Sequence, residues 1–235
     1  MLIKRNKSII VACDVPTLGE LENIVKATCG LEVIGGYKIG LNLALFYGLA
    51  IITEFIRKVT NKPIIYDHQK AGNDIPAMGE KFAKVCKDAG VDAVILFPFA
   101  GIQTQTSWIR ACVSNGLHVI VGGEMTHDGF FSYIKETAPD EMYKTAMLMG
   151  VTDFVLPGNK PDRIKHYREN VIEVEEPNSE SIGPVTYYSP GLITQGGDIT
   201  EAGKAAGDRW HAIVGSAIYK ADNIKEKVEE LGKQL

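Results

Sequence analysis

The stretch PIIYDHQKAGNDIPAMG, residues 63–79, joins a segment built for burial to a cluster of charges. Ile64, Ile65 and Tyr66 form a short β-branched and aromatic run, which reads as a strand over 63–67. Asp67 closes that run, and Lys70 and Asp74 follow before Pro76. Beyond the proline, the spacing of Met78, Phe82, Val85 and Ala89 predicts a helix over about 77–89 with those side chains on one side. The charges therefore collect in the turn that leaves a buried strand.

The same strand-then-helix unit recurs on both sides. Upstream, SIIVAC (8–13) precedes TLGELENIVKAT (17–28), whose Leu18, Leu21 and Val25 share a helical face, with Gly30 just past the end; VIGGYKIG (33–40) precedes a helix over roughly 42–59. Downstream, DAVILF (92–97) leads to a helix near 102–115, and HVIVGGEM (118–125) leads through a helix-poor stretch to DEMYKTAMLMG (140–150). DFVLPG (153–158) precedes PDRIKHYREN (161–170), where Pro161 suits a first helical position. VTYYSPG (185–191) precedes a short helix near 198–206, and HAIVGS (211–216) leads into a terminal helix.

Eight mostly apolar strands separated by helices require parallel pairing with both faces covered, which predicts a closed (β/α)8 TIM barrel, a single domain over residues 1–235. An open doubly wound sheet is the competing α/β architecture. Its usual nucleotide signatures are missing: no GxGxxG follows the first strand, and no GxxxxGK[ST] occurs. The polar insert EVEEPNSESIG (173–183) is too short to link two domains.

Composition narrows the function classes. A hydrophobic content of 45% supports a large core, and a net charge of −4 with basic residues scattered among acids gives no footprint for nucleic acid. Cys13, Cys29, Cys86 and Cys112 stand at wide spacings inside or beside apolar runs, as reduced thiols do; neither a disulfide framework nor a metal site is expected. No run approaches about 18 apolar residues, so no membrane span is expected. Asp14 and Pro16 cut the first apolar run too early for a signal peptide, and a cytoplasmic location is expected.

In a barrel, side chains at the carboxyl ends of strands share one mouth. Asp14, Lys38 and Asp67 end the first three strands, with Lys70 and Asp74 just beyond; Glu124 and Thr126 follow the fifth, and Gln195 the seventh. Asp14 suits a turn or helix cap as well as a site, and Asp67, Lys70 and Asp74 also suit solvated loop charges. Lys38, inside an apolar strand, needs an acidic partner whether its role is structural or functional. Glu124 reads as a barrel-core ion-pair partner. Alternating ammonium and carboxylate groups would keep one another ionised in a partly dry cavity, an arrangement suited to carbanion chemistry.

These residues resemble the orotidine 5′-monophosphate decarboxylase family, in its compact archaeal and bacterial type. The resemblance spans about residues 8–223 through ACDVP, YKIG, DHQKAGNDIP, EMTH, LPGNKPDRI, SPGLITQGGD and IVGSAIYKADN, in that order. It implies a carboxy-lyase that converts orotidine 5′-monophosphate to uridine 5′-monophosphate, the last step of pyrimidine nucleotide synthesis, with no metal or organic cofactor. By matched position, Asp14 and Lys38 would contact the ribose hydroxyls, Asp67 would lie by the departing carboxylate, and Lys70 would protonate C6. The family forms homodimers with shared active sites, so Asp74 would reach into the partner's site. Thr126 matches a serine that bonds the pyrimidine, Pro190 lies in a closing loop, and Gln195, Gly215 and Ser216 match the phosphate grip.

Three departures accompany the match. The acid-lysine-acid spacing is one residue longer in each gap, an expansion that Gly72 could absorb; Ala77, Met78 and Gly79 stand where a threonine is usual; and Ser216 replaces an arginine. Either another cation such as Lys160 supplies that charge, or backbone amides hold the phosphate, or the substrate differs. The rivals are a magnesium-dependent relative of the 3-keto-L-gulonate 6-phosphate decarboxylase or hexulose phosphate synthase type, and a non-catalytic nucleotide-binding paralogue.

Overall fold

The computed structural model describes residues 1–68, 71–175 and 183–235. Lys70 and most of the polar insert lie outside them. Eight strands pair in parallel, each with its sequence neighbours, and close on themselves: β1 (Lys7–Ala12), β2 (Ile34–Ile39), β3 (Ile64–Asp67), β4 (Ala93–Leu96), β5 (His118–Gly122), β6 (Asp153–Val155), β7 (Thr186–Ser189) and β8 (Trp210–Val214). Closure by β1–β8 pairing removes any open sheet edge, which decides for the barrel over the doubly wound sheet.

Around the strands run α1 (Leu18–Thr28), α2 (Leu41–Tyr47), α3 (Leu49–Arg57), α4 (Met78–Asp88), α5 (Ile102–Ser114), α6 (Ala138–Leu148), α7 (Pro161–Tyr167), α8 (Ile199–Ala206), α9 (Ser216–Tyr219) and α10 (Ile224–Gly232). The caps follow local chemistry. Thr17 accepts from the Glu20 amide at the start of α1, Asp198 from Glu201 at α8, and Asn223 from Glu226 at α10, while Pro161 opens α7. No helix among the described residues is long and apolar enough to cross a membrane.

Two expected helices differ from the sequence reading. The helix expected over 42–59 is two, broken at Gly48, where φ is +80° and the backbone cannot continue a right-handed helix. In α4 the buried face is Gly79, Ala83 and Cys86, whereas Val85 is 61% exposed. Small residues set that face because α4 lies close against α5: a Cβ on Gly79 would sit 3.0 Å from the Trp108 ring.

Strand alternation splits the core in two. Outward side chains such as Val11, Tyr37, Val94, Phe154 and Trp210 pack beneath the helices, and inward ones such as Ile10, Ile65, Ile95, Ile120, Tyr188 and Ile213 fill the barrel. Cys13, Cys86 and Cys112 are buried free thiols; burial pushes the thiols of Cys86 and Cys112 up to about 12, which keeps them protonated and inert.

At the amino-terminal end of the strands the barrel interior turns polar. Ser8 Oγ and His211 Nδ1 share a hydrogen bond of 2.8 Å, and Asp153 accepts from Tyr188 at 2.8 Å and from Thr152 at 2.6 Å, with His118 Nε2 2.9 Å away. Burial, aided by Arg209 and opposed by Asp153, lowers the His211 pKa from 6.5 to about 4. In the unfolded chain this imidazole takes up a proton near its ordinary value, so the stability it contributes is present above about pH 6.5 and is lost as pH falls toward 4. The linkage is on the order of 3 kcal/mol. Thermal melts of the wild type and of His211→Gln should show a steeper fall between pH 7 and pH 4.5 in the wild type; equal falls would contradict the assignment.

Candidate active site

The mouth at the carboxyl ends of the strands owes its charges to register. Ala12 and Lys38 are paired across β1 and β2, Lys38 and Ile65 across β2 and β3, and Asp67 and Ile95 across β3 and β4. Ala12, Ile65 and Ile95 face the barrel interior, so Lys38 points inward, and a two-residue step brings in Asp14 after Ala12 and Asp67 after Ile65. The Lys38 ammonium lies 3.0 Å from Asp67 Oδ2 and 3.4 Å from Asp14 Oδ2. Burial alone would pull its pKa down, but Asp67 and then Asp14 outweigh burial and hold it above the ordinary lysine value. Lys38 is therefore a fixed cation.

Gly40 gives Asp14 its room, since a Cβ there would lie 2.2 Å from Asp14 Oδ1. The turn after β3 is equally local in origin. Gly72 has φ +84° and sits close against Phe97 and Pro98, where a Cβ would lie 3.3 Å from Pro98 Cα, and Asn73 Oδ1 accepts from the Phe99 amide at 2.8 Å.

These charges line a cavity of about 350 Å³. Ile95, Phe97, Val155 and Ile213 form its apolar wall, and Thr126, Pro190, Thr194, Gln195, Gly215 and Ser216 line it from the loops after β5, β7 and β8. Thr126 Oγ1 donates to Gln195 Oε1 at 2.8 Å, and Ser216 Oγ donates to Thr194 Oγ1 at 3.1 Å. Asn159 Nδ2 donates to the Thr126 carbonyl at 3.0 Å and so fixes the β5 loop from the β6 side. Within the β7 loop Ile193 has φ +61°, a conformation that costs a β-branched residue about 1–3 kcal/mol, held by hydrogen bonds to Gly197 and Gly196.

Glu124 is the expected ion-pair residue, 2% exposed. It accepts from Lys160 Nζ at 2.9 Å, from Arg163 Nε at 2.7 Å and from the Tyr167 hydroxyl. Burial would raise its pKa, yet the bonds from Tyr167, Lys160 and Arg163 hold it below the ordinary carboxylate value. The same contacts settle the place of Lys160, which also donates to the Met125 carbonyl at 3.1 Å. Its ammonium is engaged there and does not line the cavity, so it does not stand in for the arginine expected at Ser216.

Of the residues read from sequence as site candidates, Asp14, Lys38, Asp67, Thr126, Pro190, Gln195, Gly215 and Ser216 converge on one cavity. Asp74 does not. It is exposed and borders a separate groove with Met78, Phe82, Val85 and Trp108. Lys70 lies outside the described residues. Sequence reading missed Thr194 and Tyr219, which also line the cavity; a threonine beside Gln195 and a tyrosine one helical turn after Gly215 carry no signal until the loops meet. Burial and then Asp14 raise the Tyr219 pKa, against the opposing effect of Lys38.

Known proteins resemble this chain over nearly its whole length. The sequence model described as "Orotidine 5'-phosphate decarboxylase / HUMPS family" matches residues 7–231. An orotidine 5′-phosphate decarboxylase of Methanosarcina mazei is 31% identical, with 99% of this chain and 97% of that protein covered, and one of Methanococcus maripaludis is 30% identical, with 97% and 96% covered. The crystal structure of orotidine 5′-monophosphate decarboxylase from Methanocaldococcus jannaschii complexed with the inhibitor BMP superposes with a TM-score of 0.84 at 28% identity, covering 98% of this chain and 99% of that one.

The Glu124 anchor makes a stability prediction. Glu124→Ala removes a buried carboxylate and strands Lys160 and Arg163, which are only partly exposed. Denaturant unfolding should show a loss of about 3 kcal/mol, against under about 1 kcal/mol for an exposed pair such as Lys84 and Asp88. A loss no larger than the exposed pair's would contradict the anchor role.

Proposed function

The chain belongs to the orotidine 5′-phosphate decarboxylase / HUMPS family, and from that membership we propose that it converts orotidine 5′-monophosphate to uridine 5′-monophosphate and carbon dioxide. The observation that carries this reading beyond family is the Asp14–Lys38–Asp67 set at one end of an apolar-walled cavity. Loss of the C6 carboxylate leaves its bonding electron pair on C6, where the pyrimidine offers no conventional sink. Fixed charge in a site shielded from water stabilises that developing anion, and the Lys70 ammonium gives its proton to C6 as carbon dioxide departs.

Asp67 is assigned to the departing carboxylate, and Asp14 and Lys38 to the ribose hydroxyls. Thr126 reads the pyrimidine, held in place by Asn159 behind it and by Gln195 in front. Gln195, Gly215 and Ser216 take the phosphate, and binding energy gathered there orients the reacting carbon it never touches. Pro190 belongs to the loop that closes. Asp74 is assigned to the site of a second subunit in a homodimer, in keeping with its exposure outside its own chain's cavity. The magnesium-dependent rival asks for an acid at the end of β2; Lys38 stands there, and its ammonium occupies the space between the acids of β1 and β3.

Following the absorbance of orotidine 5′-monophosphate with purified protein in EDTA tests the reaction: turnover is expected, and none would refute it. Lys70→Ala should lower kcat by about a hundredfold or more while the protein stays folded by circular dichroism. A kcat near that of the wild type would remove Lys70 from the proton-transfer step.

A further inference from the structure

Among the described residues, Lys38 is the one cationic side chain lining the cavity, and it is spanned by Asp14 and Asp67. Lys160 is held by Glu124. Among the described residues, the sector formed by the loops after β7 and β8 is therefore lined by neutral groups, and its hydrogen bonds leave donors open. Ser216 donates to Thr194, so the Thr194 O–H remains to donate to a ligand. Thr126 donates to the Gln195 carbonyl oxygen, a bond that does not use the two hydrogens of the Gln195 amide nitrogen. Ile193, immediately before Thr194, has a positive φ, a conformation uncommon for a β-branched residue.

We propose that Thr194 is a specificity-determining residue: with Ser216 and the Gln195 amide it forms a seat for the phosphate monoester of a nucleotide that holds no cation among the described residues. The proposal rests on the nucleotide reading above and deepens it. A hydroxyl pair replaces one guanidinium, supplying donors to the phosphate oxygens without adding a charge. Phosphate is then distinguished from hydroxyl by donor geometry at Thr194 and Ser216 instead of by a charge pair. The sequence change at Ser216 and the otherwise unremarked Thr194 become one feature, because the two side chains touch.

Calorimetric binding of uridine 5′-monophosphate and of uridine to the full chain tests this. Thr194→Val keeps the shape and removes the hydroxyl, and Ser216→Ala removes its partner. Each should reduce the preference for the nucleotide over the nucleoside by about tenfold or more, in line with a lost hydrogen bond to a charged group. Thermal melts should be unchanged, because both side chains lie at the cavity surface. Equal weakening of nucleotide and nucleoside, or no change in either, would overturn the proposal. Absence of orotidine 5′-monophosphate turnover in a wild type that keeps the nucleotide preference would instead count against the decarboxylase reading alone.

Discussion

An ammonium group sealed into the wall of an apolar barrel demands compensation, and the mouth of this protein is organised around meeting that demand for Lys38. Its side chain is 9% exposed, and desolvation by itself would lower its pKa. Two carboxylates reverse the balance. Asp67 comes from the next strand and Asp14 from the preceding one, so the compensation requires three neighbouring strands in one register. A shift of a single residue in any of them would turn its charged side chain toward the helices. The same register brings Ala12, Ile65 and Ile95 inward as the apolar layer beneath.

The opposite side of the cavity is built by different means. There the loops after β5, β6 and β7 are tied together by the Glu124 cluster, by Asn159 and by the Thr126–Gln195 bond. Glu124 does for this sector what Lys38 does for the other, with the signs exchanged: a buried charge holds cationic partners from α7 and the loop before it. Among the described residues, the result is a charged end at Asp14, Lys38 and Asp67 and an uncharged end lined by Thr126, Thr194, Gln195 and Ser216.

Much of this was legible in the chain itself. Strand runs with β-branched residues and the punctuation of Gly and Pro located all eight units, and position at or just past the carboxyl ends of the strands placed Lys38, Asp67 and Glu124 at the mouth. What escaped depends on contacts between elements. Gly79, Ala83 and Cys86 face inward on α4 because of how closely α5 approaches, which periodicity of large apolar residues does not register. Lys160 looked free to serve the phosphate until Glu124 was seen to hold it. Thr194 gained meaning only when the β7 and β8 loops met at Ser216.

The most direct test of the account is the ionisation of Lys38 itself. With lysine side chains labelled at Cε and the Lys38 signal assigned by its loss in Lys38→Arg, a titration by nuclear magnetic resonance reads the charge on that one ammonium. The account predicts that it remains protonated through and beyond the ordinary lysine value of 10.5. A titration midpoint below that value would mean that burial prevails over Asp67 and Asp14, and the fixed-cation description of the site would fail.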